Sequence, residues 1–120
     1  MERKYIPGTT RQPTTVTFTI DSSADSTETA ILLGDRGATI SMEFSSQGGT
    51  HVGNLAWELC DSGADGSFEA HADSPYAVAA GAFIQNYDNL LTTKRYFRLV
   101  YNRTNGSGTI TAIVHVTYND

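Results

Sequence analysis

Asp61, Asp65, Gly66 and Glu69 fall close together in D-S-G-A-D-G-S-F-E, and carboxylates gathered around glycine are the raw material of a calcium loop. Such a loop needs oxygen ligands spaced as D-x-D-x-D-G with a glutamate at the twelfth position. Here Gly63 holds the third place and Ala72 the twelfth. The stretch therefore reads as a solvated turn whose aspartates bond to nearby backbone. His51, His71 and His115 show neither H-x-H nor H-E-x-x-H spacing, so no metal or cofactor is implied. Cys60 would need a helix N-terminus or a cationic neighbour to act as a thiolate nucleophile, and the sequence places neither beside it. Glu58 and Glu69 lie on strands joined by one turn, the layout of a glycosidase carboxylate pair, but they read as a surface cross-strand pair. The chain is expected to be no enzyme, with no catalytic residue.

The element that must position these groups is the strand before the turn. Leu55, Trp57 and Leu59 alternate with Ala56, Glu58 and Cys60, the period of a strand with one buried face. Trp57 is the single tryptophan and the expected core anchor. Asp61 to Gly66 reverses the chain, which re-enters a strand at Ser67.

A chain of 120 residues has room for one domain that needs no disulfide or metal to hold it. Its Thr, Ser and Gly content points to an all-β fold. Eight basic against thirteen acidic residues argue against a nucleic-acid partner. The charge is uneven: Arg3, Lys4 and Arg11 stand against Glu2 alone within residues 1–13, while the remainder carries five basic and twelve acidic residues. One cysteine excludes an internal disulfide, and no apolar signal segment or membrane-length run occurs, so synthesis in a reducing cytoplasm and no membrane partner are expected.

Residues 1–13 hold two prolines and read as an irregular arm, with Tyr5 and Ile6 as its only apolar anchors, ahead of a single domain over 14–120. Period-two alternation predicts strands at 14–21, 27–33, 39–44, 54–60, 67–71, 94–102 and 109–118, with a further strand or helical turn within 76–85. A short helix or 3-10 turn is expected around Asp88, Leu90 and Leu91, and a turn over 103–108. About eight strands separated by turn signals predict a two-sheet antiparallel β-sandwich, jelly-roll-like. Six tyrosines exceed the needs of a small core, so some are expected on a binding face, either a sugar platform or a subunit interface.

Leu55 to Phe68 (L-A-W-E-L-C-D-S-G-A-D-G-S-F) together with Lys94 to Thr111 (K-R-Y-F-R-L-V-Y-N-R-T-N-G-S-G-T-I-T) resembles a pattern in small structural proteins of tailed bacteriophages. The resemblance spans roughly residues 27–118. It implies a virion component: a capsid decoration or cement protein, or a tail or fibre-associated module. The partners would be the major capsid protein or other virion proteins, with the chain itself a homo-oligomer. The candidate contacts are Arg3, Lys4, Tyr5, Ile6 and Arg11, on the arm. Galactose-binding-like sandwiches show a similar W-x-x-x-x-D-G turn and Y-x-R-L strand; the tyrosines and loop aspartates make a carbohydrate-binding module the alternative and a glycan a possible ligand.

Overall fold

The structure, a computed structural model, describes residues 12–119. The chain runs through β1 (Thr14–Asp21), β2 (Ser26–Thr27), β3 (Ile31–Leu32), β4 (Ala38–Ser46), β5 (Val52–Cys60), a 3-10 turn at Asp65–Ser67, β6 (Glu69–Ala70), β7 (Tyr76–Val78), β8 (Phe83–Thr92), β9 (Tyr96–Asn105) and β10 (Thr109–Tyr118). The first sheet has the order β1-β10-β4-β8. The second is built on β9 and β5, with β2 and β3 along the free side of β9 and β6 and β7 along that of β5. Every pairing among the described strands is antiparallel. This is the all-β, two-layer sandwich that the alternation predicts.

Alternating side chains explain the packing. Ile40, Met42 and Phe44 of β4 and Ile110, Ala112, Val114, Val116 and Tyr118 of β10 point into the space between the sheets. They meet Leu55 and Trp57 of β5 and Phe97, Leu99 and Tyr101 of β9. Trp57 is 1% exposed, so the core anchor lies where the sequence put it. Its ring centroid stands 4.5 Å from that of Tyr87 and 5.8 Å from that of Phe44, both on the opposite sheet. One side chain thus couples the two layers.

Three expectations are corrected. The strand foreseen over 27–33 is two short pieces: Ser26 pairs Tyr101 and Thr27 pairs Val100, but Ile31 pairs Phe97, so one extra residue has entered on the β2–β3 side. A bulge of this kind bends an edge and interrupts its ladder. The second correction is that no helical turn occupies 86–93, which is strand as far as Thr92. Ile40 pairs Leu90 while Met42 pairs Tyr87, so Asp88 and Asn89 together oppose Ser41. Asn89 takes a positive φ of 57° to make that bulge. The insertion places Tyr87 and Leu90 three apart on the same face, a spacing that imitates a helix. The one 3-10 turn among the described residues is instead at Asp65–Ser67. Third, β9 runs on to Asn105, and the turn shrinks to the residues after it because Gly106, at φ 73°, lies against the carbonyl of Thr50 where no Cβ fits.

Candidate functional site

The two stretches that carry the resemblance are neighbours in space. Trp57 pairs Leu99, Glu58 pairs Arg98 and Leu59 pairs Phe97 across β5 and β9. On the outer face of that pair the Arg98 Nε donates to a Glu58 oxygen at 2.8 Å, with both side chains mostly shielded from solvent. The Arg98 guanidinium also sits 4.0 Å from the ring centroid of Phe68. The charge pair and the ring fasten the turn after Trp57 down on the sheet. Glu58 therefore faces a cation, and the register sets it opposite Ala70 rather than Glu69.

The turn itself is held by sulfur and hydroxyl groups. The Cys60 sulfur accepts from the Gly63 amide at 2.8 Å and from the Ser67 hydroxyl at 3.3 Å. Burial pushes this thiol up, and the hydrogen bonds from Ser67, Gly63 and Ser62 outweigh that and leave it below its ordinary value. The cleft beside it, about 310 Å³, is lined by Asp61, Glu69 and Lys94 among others, and Lys94 Nζ reaches Asp61 at 3.3 Å. That lysine is a cation near Cys60 which spacing along the chain did not reveal. Among the described residues no group of three or more His, Cys, Asp and Glu side chains could hold a metal ion.

The histidines lie apart. The His71 Nδ1 accepts from the Asp73 amide at 3.1 Å, and its ring faces Trp57. His115, on the outer face of β10, meets the Thr15 hydroxyl at 2.7 Å. His51 is fully buried, and its Nε2 lies 3.0 Å from the Ser46 hydroxyl. This contact was not legible in the sequence. A Ser–His hydrogen bond is half of a nucleophile–base arrangement, but no carboxylate orients the other ring nitrogen, which has no protein partner among the described residues. The Ser46 hydroxyl is also tied to the backbone of Gly48. The pair knots the β4–β5 connection.

The tyrosines do not form an exposed platform. Tyr101 and Tyr118 are buried and Tyr76, Tyr87 and Tyr96 are half-buried, with Tyr76 and Tyr87 packed against Phe44. Tyr5 lies outside the described residues, as do Arg3, Lys4, Ile6 and Arg11. What the surface does show is a partition of charge. No Lys or Arg occurs on β1, β4, β8 or β10, whose acidic residues are Asp21, Glu43 and Asp88. Four of the five described basic side chains lie on or beside β9, where Lys94, Arg95 and Arg98 pair with Asp61, Asp35 and Glu58, and the fifth, Arg36, sits in the turn before β4. Arg103 Nε donates to the Gly106 carbonyl.

Comparison of the chain with protein families, with curated proteins and with solved structures gave no match.

Proposed function

We propose that the chain is a non-enzymatic structural protein of a tailed-bacteriophage virion, a capsid decoration or cement protein that docks on the shell through residues 1–13. The division of charge carries this reading. Lys94, Arg95 and Arg98 are spent on ion pairs within the domain. Arg3, Lys4 and Arg11, by contrast, stand in one short segment beside a single acidic residue. A cationic arm ahead of an acidic body suits attachment to an acidic neighbour, and repetition on a lattice lets weak contacts act together. The adjacency of the two resembling stretches on β5 and β9 supports the same reading.

Removing residues 1–13 tests it. Co-sedimentation with purified shells should be lost while the far-ultraviolet circular dichroism of the β fold is kept. Binding unchanged by the truncation would overturn the role of the arm.

A further inference from the structure

We propose that β8 is a self-association edge: two copies pair their β8 strands antiparallel about a two-fold axis at Tyr87, joining two four-stranded sheets into one of eight strands. The partner is a second copy of this chain, and the inference does not depend on the virion reading.

The edge is long and open. β8 has ten residues and pairs only with β4 among the described strands, so its other side offers an unpaired row of backbone groups. It carries one charge, Asp88, and neither Lys nor Pro, the residues that commonly guard such an edge. The two most exposed large hydrophobic residues described in the protein are both on this strand, Ile84 at 70% and Leu91 at 75%.

The bulge makes the strand self-complementary. Ile84 and Leu91 are seven apart, and in a regular strand they would point to opposite faces. Because Asp88 and Asn89 together oppose Ser41, alternation is reset, and both Ile84 and Leu91 lie on the outer face. With the bulged pair counted as one position, β8 has nine positions, matching the nine residues of β4, and Tyr87 is the fifth. A two-fold axis there sets Ile84 opposite Leu91 of the second copy, twice. The same axis sets Asp88 and Asn89 against Asn86, so the single carboxylate meets an amide rather than its own mate. Inner positions meet inner and outer meet outer throughout. Pairing with β1 of another copy has no such match, since the outer side of β1 shows Thr15, Thr17 and Thr19 to the two apolar residues. Eight strands also stay within the span that twisted open sheets reach.

Sedimentation velocity on the full chain, run over a range of concentrations, should give a monomer–dimer equilibrium. Ile84→Lys should weaken the dimer at least tenfold, with circular dichroism unchanged because the side chain stands in solvent. A monomer at every concentration overturns the proposal, as does a dimer indifferent to that substitution. Register is read by mixing two single variants, Ile84→Cys and Leu91→Cys. Directly opposed residues of antiparallel strands lie within disulfide reach, so a mixed disulfide should form on mild oxidation. Neither variant alone should cross-link, and Cys60 is buried and does not compete. Ile84→Cys joining itself as readily as it joins Leu91→Cys overturns the two-fold register.

Discussion

The two sheets treat their edges in opposite ways. The β5–β9 sheet ends on both sides in strands of two or three residues, interrupted by a bulge between β2 and β3 and by the 71–75 segment between β6 and β7. That second gap is stitched to β5 by the His71 amide on the Trp57 carbonyl and by the Trp57 amide on the Ser74 hydroxyl. The other sheet ends in β1 and β8, of eight and ten residues. Broken edges cannot template another strand, whereas long ones can. The β1-β10-β4-β8 sheet thus has the edges open to company, and the β5–β9 sheet concentrates the ion pairs and turn locks. The contrast teaches that one sandwich can hold a closed layer and an open one on a shared core.

The largest test asks whether that core really is shared. Trp57 belongs to the closed layer but packs on Phe44 and Tyr87 of the open one. Trp57→Ala should cost about 3–5 kcal/mol in urea denaturation, the range for emptying a large aromatic site. A loss under about 1 kcal/mol would mean that the sheets cohere without it. A smaller effect is expected on the outer face of the closed layer. Arg98→Ala removes a mostly shielded ion pair and a cation–ring contact, and should cost about 2 kcal/mol. Because Glu58 and Arg98 are mostly screened from solvent, the loss should persist in 0.5 M salt, roughly the regime in which exposed pairs fade. If salt abolishes the difference, the closed layer is not locked by this pair.

The open layer was the more legible in the sequence, and the reason is physical. β1 and β10 keep strict period two, with Val16, Phe18 and Ile20 inside on one and Ile110, Ala112, Val114, Val116 and Tyr118 inside on the other, so their bounds Thr14–Asp21 and Thr109–Tyr118 follow from alternation alone. Bulges defeat that reasoning. The one at Asp88 and Asn89 turned a strand into an apparent helix, and the one beyond Thr27 cut a strand in two. Of the site, Trp57 was legible because it is the largest apolar residue on an alternating strand. The Glu58–Arg98 pair was not, since forty residues separate its members and only the β5–β9 register unites them. The Ser46–His51 contact was hidden for a different reason: its members are five residues apart, and loop closure, rather than periodicity, buries that histidine. The tyrosines misled because a phenol on an inward strand position is core, however polar its tip.

The smallest effects distinguish the layers by two buried phenols. The Tyr118 hydroxyl, in the open layer, donates to the Thr14 hydroxyl at 3.0 Å and ties β10 to β1. The Tyr101 hydroxyl, in the closed layer, is buried without a protein partner among the described residues, beneath Gly53, where a Cβ would stand 2.6 Å from it. Tyr118→Phe should therefore cost about 1 kcal/mol, and Tyr101→Phe should cost nothing or stabilise by a similar amount. Burial raises the pKa of Tyr101, and also of Tyr87, above the ordinary tyrosine value. A phenol held protonated in the fold gives its full stabilisation below the unfolded value of about 10 and loses it as pH climbs through the folded value. Denaturation midpoints followed upward from pH 9 should fall for the parent chain and fall less steeply for Tyr101→Phe, Tyr87 supplying the remainder. Equal slopes would place the alkaline loss elsewhere and remove Tyr101 as a mark of the closed layer.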